Sequence, residues 1–583
     1  MVPAACAGSV DSSGASPGWS DAGTFPGSGG FFGGTGGASA SGGAGVGLGG
    51  AGVDPLPPER ELESSFEVPV ATGRYVWVAN PLSGRVAFID ATTLKVRTVE
   101  AGNAPTYLAP VPGAADAVIV LNVLSHDATL LRAEGAGGQL TSAMIGGVTP
   151  LANAWAISPD GKFALAWTDA RRALASAPKT GAIGTLEGFQ DVTAIDLGAQ
   201  PPKATTVAVG YRPVSVTFSA DGRRAFAVTQ DGVSVIGLPV AAGAAGPGGA
   251  VGVIRDIPLT SVATENADTR DVSVTADGRA IVRREGSPDI RIVDLTSGTT
   301  EIVTLSGPVT DLDVTADGTR AVAVVRLTAE VAIIPLAAVG GAGAAIGTVL
   351  HTFLSGRLVG SVTLTPDGKK AVLYSNATDS EELIVLDLAS AATVVQRVHA
   401  PVLSLFPSPD GLFAVVLHHQ PTTPTDAGTA APPSTANADG GVATDGGGGQ
   451  GPPPPTTPRT PPIAAAFSVV PLDGTRSGRI QETAAVPQAI ALAPNSSQAI
   501  VTVRDDRAKI FGAYVVGMPS LQVARLDLAS PPIATGVVAA ANRGYVAQVH
   551  PEGRITFIPF ASGVPQTITG FDLGARVVDG VTP

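Results

Sequence analysis

Apolar and polar positions alternate along most of this chain in runs of four to six residues, the period of a half-buried strand rather than a helix. Val214, Val216 and Phe218 take one face of such a run, and Val272 and Val274 do the same further on. Each run meets a polar tetrad of Ser or Thr, one residue, Asp and Gly, and a second, continuously apolar run follows, as in Ala225-Phe226-Ala227-Val228 and Ala371-Val372-Leu373-Tyr374. The tetrad recurs as Ser158-Pro159-Asp160-Gly161, Ser219-Ala220-Asp221-Gly222, Thr275-Ala276-Asp277-Gly278, Thr315-Ala316-Asp317-Gly318, Thr365-Pro366-Asp367-Gly368 and Ser408-Pro409-Asp410-Gly411. Its repeat of roughly forty to sixty residues is that of propeller blades or solenoid units. Asp followed by Gly suits a hairpin corner because both tolerate positive φ, so the aspartates read as turn residues rather than metal ligands.

A third and a fourth strand follow in each unit, commonly closing on Asp and a small polar turn, as at Ile89-Asp90, Val293-Asp294, Leu386-Asp387 and Leu526-Asp527. Four strands per unit make a blade. The units fall at about 65–102, 103–146, 147–208, 209–260, 261–307, 308–356, 357–400, 401–485, 486–530 and 531–580, with Asn495-Ser496 and Asn542-Arg543-Gly544 replacing Asp-Gly in the last two. The expected fold is therefore an all-β propeller of four-stranded antiparallel blades, about ten units in residues 61–583. Ten exceeds the usual four to eight, which leaves a large single ring, two packed rings, or some incomplete units. One ring is favoured because no linker divides the repeats into two closed sets. Closure is expected from Ser65–Val70 pairing into the last blade beside Arg576-Val577-Val578, since an open ring exposes strand edges.

Two tracts lie outside this pattern. Residues 1–60 are dominated by Gly, Ala, Ser and Pro and read as a disordered tether, whose reach grows roughly as 5–6 Å × √n. Residues 421–462, rich in Pro, Gly and Thr, read as a disordered loop that interrupts one blade, because strand patterns resume on both sides. Asp439 and Asp445, each followed by two glycines, lack the spaced carboxylates of a calcium loop.

A formal charge of −13 without any basic run argues against nucleic acid. No run of about eighteen uninterrupted apolar residues marks a membrane helix, so a membrane link would be lipid. The single cysteine, Cys6, excludes an intramolecular disulfide framework and Cys-based metal sites. Val2-Pro3-Ala4-Ala5-Cys6-Ala7-Gly8 resembles the end of a bacterial lipoprotein signal, which makes Cys6 the candidate lipidation site. Pro3 stands where such signals carry Leu, and the charged and apolar parts of a signal peptide would have to precede the start given. The alternative is an incidental thiol in a flexible tail. The histidines, His126, His351, His399, His418, His419 and His550, lack zinc-ligand spacing, and the adjacent pair His418-His419 would point to opposite faces of a strand. No nucleophile elbow, phosphate loop or dinucleotide fingerprint occurs in strand–helix context. No catalytic, cofactor-binding or metal residue is assigned.

The stretch Arg74-Tyr75-Val76-Trp77-Val78-Ala79-Asn80, Ser83-Gly84-Arg85-Val86-Ala87-Phe88-Ile89-Asp90 and Lys95-Val96 resembles the repeat of the YVTN family of bacterial and archaeal surface β-propellers. The resemblance is close in this first unit and covers the rest as architecture. It implies an exported protein, outer-membrane-anchored, periplasmic or at the cell surface, and brings no common catalytic residues. The expected function is a non-enzymatic envelope scaffold, monomeric, needing no cofactor and presenting one propeller face to a protein or glycan. The alternative is a propeller enzyme, lactonase-like or quinone-dependent and sugar-oxidising, with a metal or cofactor in the central channel.

Overall fold

The computed structural model describes residues 69–135, 138–170, 189–239, 251–260, 269–336, 347–419 and 465–570. They form ten sheets of four antiparallel strands, and within every sheet the strands follow chain order from the ring's centre outward. The blades span 70–100, 105–146, 154–208, 215–258, 270–304, 311–353, 361–397, 402–482, 487–527 and 532–569, one inside each unit the repeats define. In blade 1, Val70 and Ala71 face Trp77 and Val76, and the second strand then pairs with the third from Tyr75↔Asp90 to Asn80↔Arg85.

A blade has two faces, and alternation makes both apolar, so each must be covered by a neighbour. Ten hydrophobic clusters among the described residues do this, each joining one blade to the next. Trp77 and Phe88 of blade 1 meet Val118, Val120 and Leu131 of blade 2. Val322, Val324 and Ile333 of blade 6 meet Leu373, Ile384 and Leu386 of blade 7. Val76, Val78 and Ile89 of blade 1 pack on Tyr545, Ile555 and Phe557 of blade 10, which closes a single ring. Of the strand exchange expected at closure, only Val70 falls among the described residues with a pairing partner. Val70 pairs within blade 1, and side-chain packing joins the ends. Residues 65–68 and 576–578 lie outside the described residues, as do Cys6 and both low-complexity tracts.

The tetrads join first to second strands, but the reason for their Asp differs from the one expected. Only the glycine is left-handed, with φ between +66° and +90° at the six sites. The aspartate instead caps the turn: Asp160 Oδ1 accepts from Ser158 Oγ at 2.7 Å and from the Lys162 amide at 3.1 Å, while Ser158 Oγ accepts from the Phe163 amide at 2.9 Å. Thr365, Asp367, Lys369 and Lys370 repeat the arrangement. In blade 9, Ser496 takes the left-handed position at φ 56°, and Asn495 Oδ1 accepts from the Ser497 amide.

Candidate binding surface

Antiparallel strands put successive turns at opposite ends of the ring. The lower rim carries the first-to-second and third-to-fourth turns. The upper rim carries the second-to-third turns and the connections between blades. The chain enters the inner strand of blade 1 at Pro69 and leaves the outer strand of blade 10 at Gly570, both toward the upper rim.

The lower rim is internally bonded. Burial pushes the carboxyls of Asp160, Asp221, Asp317 and Asp367 up, but the hydroxyl and amide donors of their own turns, with nearby Lys and Arg, outweigh it and hold them below the ordinary range. These aspartates are structural corners. Long side chains then tie blades together: Arg97 Nη1 donates to the Gly138 carbonyl at 2.8 Å, Arg255 Nη2 to Ser297 at 2.8 Å, and Arg479 Nη1 to Leu521 at 2.9 Å.

The upper rim is different. Leu82, Leu124, Leu151, Leu327 and Val486 project from its turns and connections, with Leu82 80% and Leu124 65% exposed. Only Leu412 and Val564 are comparably exposed on the lower rim among the described residues, and the other exposed large apolar side chains lie on outer strands. Three of the five come from blades 1 and 2 and the connection to blade 3. Backbone bonds hold them: Asn80 Oδ1 accepts from the Leu82 amide at 3.0 Å, Asn103 O from the Leu124 amide at 3.2 Å, and Leu151 sits at φ 62°. Leucine in that region is strained, so its exposure is fixed by the loop rather than chosen by the side chain.

The histidines do not converge. His418 is buried at the upper end of blade 8, where Nδ1 is 3.1 Å from Pro401 O and Nε2 is 2.7 Å from Ser468 Oγ, and burial pulls its pKa down to about 4. His419 turns instead toward Asp379, 3.8 Å away. His351 Nδ1 lies 2.5 Å from Glu330 Oε1, a carboxylate 1% exposed that also accepts from the amide and hydroxyl of Ser306. Burial opposes ionisation of Glu330, yet Ser306 and His351 keep its carboxyl below the usual range. The serine hydroxyl is spent on the carboxylate, so this trio braces the connection between blades 5 and 6 and is no nucleophile–base pair. His126, His399 and His550 lie apart, and the described residues hold no group of three or more His, Cys, Asp or Glu suited to a metal.

Sequence reasoning missed the upper-rim leucines, Glu330 and two inter-blade clamps. Asp311 and Asp313, on the inner strand of blade 6, accept from the amides of Val362 and Leu364 on the inner strand of blade 7 at 2.7 and 3.0 Å. The pattern Asp311-Leu312-Asp313-Val314 carried that signal, two carboxylates on one strand face. A cleft of about 360 Å³ also opens between the outer strands of blades 8 and 9, lined by Gln481, Glu482, Tyr514, Val523 and Arg525 among others.

No protein-family model matches the chain, and no curated protein does. Among solved structures, it is similar to a crystal structure of the eukaryotic initiation factor, at 10% identity over 78% of this chain and 96% of that one, with a TM-score of 0.44. The dihydro-heme d1 dehydrogenase NirN in complex with DHE is 20% identical over 56% of this chain and 66% of its own, with a TM-score of 0.32. The β-propeller domain of Myceliophteria thermophila Cps50 (Swd1) is 10% identical over 57% and 92%, with a TM-score of 0.29. Likeness at this level carries no functional assignment.

Proposed function

We propose that this ten-bladed propeller is a non-enzymatic scaffold of the bacterial envelope that binds a protein partner through its upper rim, with the N-terminal tract as tether and Cys6 as lipid anchor. The observation that carries the binding face is the set of five exposed apolar side chains, Leu82, Leu124, Leu151, Leu327 and Val486, on the rim opposite the bonded Asp-Gly turns. Exposed apolar groups on a rigid frame favour protein contact, and loops on such frames commonly carry recognition. The resemblance of residues 74–96 to YVTN repeats supports an envelope setting. Both chain ends meet the ring on the same rim, so a tethered ring would hold this face toward its anchor and toward partners there.

The test is in-cell cross-linking with mass spectrometry on the wild type, on an upper-rim variant carrying Leu82→Lys and Leu124→Lys, and on a lower-rim control carrying Leu412→Lys. Upper-rim cross-links to one envelope protein, lost only in the first variant, are expected, together with a lipid-modified Cys6 at the mature N-terminus. Cross-links confined to the lower rim, or insensitive to the leucines, would overturn the assignment of the face. An unmodified Cys6 in native cells would remove the anchor.

A further inference from the structure

We infer that the ring opens at the junction of blades 10 and 1 before its blades unfold, with the two-residue strand Val70–Ala71 as the latch. Nine of the ten junctions are crossed by the chain itself, as at 101–104 and 528–531, so neighbours there stay tethered when their contacts loosen. Blades 10 and 1 share no such connection. Among the described residues all four strands of each blade are consecutive, and none is exchanged across the junction.

What holds the seam is packing and a hydrogen bond. Val76, Val78, Ala87 and Ile89 cover Ala534, Tyr545, Ile555 and Phe557. The buried Tyr545 hydroxyl donates to the carbonyl of Pro69, next to the latch strand. Gly536 makes room for that ring, since a Cβ there would lie 2.4 Å from the hydroxyl. The latch has only two pairs, Val70↔Trp77 and Ala71↔Val76, against four or more for most inner strands. The outer strands of blades 1, 4, 7 and 8 reach the next blade through Arg97, Arg255, Gln396 and Arg479. The outer strand of blade 10, Gln566-Thr567-Ile568-Thr569, adds no such tie among the described residues, and its Gln566 accepts from Arg543 of its own blade. Sub-global opening follows the boundary with fewest constraints, and that boundary is this one. Any pull arriving through residues upstream of Pro69 falls directly on the latch.

Hydrogen exchange with mass spectrometry on the full chain tests this. Amides of 70–80 and 532–548 are expected to exchange faster than those of 117–122 and 320–325 in blades 2 and 6. Tyr545→Phe, which removes a hydroxyl and leaves the ring, should speed both seam segments by about five- to ten-fold while blades 3 to 8 stay unchanged. Gly536→Ala, which displaces the ring, should do the same. Seam protection equal to that of blades 2 and 6 in the wild type would overturn the inference even if neither variant folds, as would a uniform acceleration throughout the ring in Tyr545→Phe.

Discussion

His418 offers a quantitative handle on the upper rim, because its imidazole is enclosed between Pro401 and Ser468, with no acid at hydrogen-bond distance among the described residues. Desolvation disfavours the charged ring and lowers its pKa from 6.5 to about 4. The unfolded chain therefore binds a proton between those values that the folded ring refuses. Stability is fully present above pH 6.5 and falls as the pH drops toward 4, by about 3 kcal/mol at the bottom of the window. The turn aspartates cannot mimic this, since their lowered carboxyls lose their contribution only below about pH 4. The assay is urea unfolding at half-unit steps from pH 8 to pH 4, comparing wild type with His418→Gln. Whatever the substitution costs at pH 8, its curve should fall less steeply with acid, and the two should converge by about 3 kcal/mol at pH 4. Parallel curves through the window would refute the reasoning.

Two further outcomes test the architecture. Gly161→Ala should cost at least about 2–3 kcal/mol in urea unfolding, since φ is +68° and a Cβ would stand 2.1 Å from the Pro112 carbonyl oxygen, whereas Gly135→Ala, at φ +69° with nothing within 4 Å, should cost only about 1 kcal/mol; equal costs would show that turn geometry alone matters. Asp313→Ala should cost about 1–2 kcal/mol by leaving the Leu364 amide unanswered, and should raise exchange of amides 361–364 selectively, so an unchanged exchange map would remove Asp313 as a clamp between blades 6 and 7.

The blades were legible in the sequence because what makes them is local. A Thr365-Pro366-Asp367-Gly368 corner and the alternation on either side involve residues within a dozen positions of one another, and a period of two leaves little choice of register. The bonds between blades were not legible, because each donor carries no local sign of its acceptor. Arg97 on an outer strand looks like any solvated arginine until Gly138 is placed beside it. The separations nevertheless obey a rule: 41 residues for Arg97 to Gly138, 42 for Arg255 to Ser297 and 42 for Arg479 to Leu521, one repeat each. Gln396 to Pro471 is the same tie, lengthened to 75 where residues 421–462 intervene. A long polar side chain on the fourth strand, read one repeat ahead to the next third-to-fourth turn, would have found them.

That rule also says where it must fail. The neighbour of blade 10 in the ring is blade 1, which lies far back in the chain, so a tie that works by stepping one unit forward has no target there. Closure has to come from residues a whole ring apart. Tyr545 and Pro69, 476 positions from each other, are that exception. Ring closure is consequently a separate invention from blade building, carried by its own residues. Substitutions at Tyr545 and Gly536 should change whether the ring stays shut while leaving the ladders of blades 3 to 8 intact, a separation that no change within a repeated corner can produce.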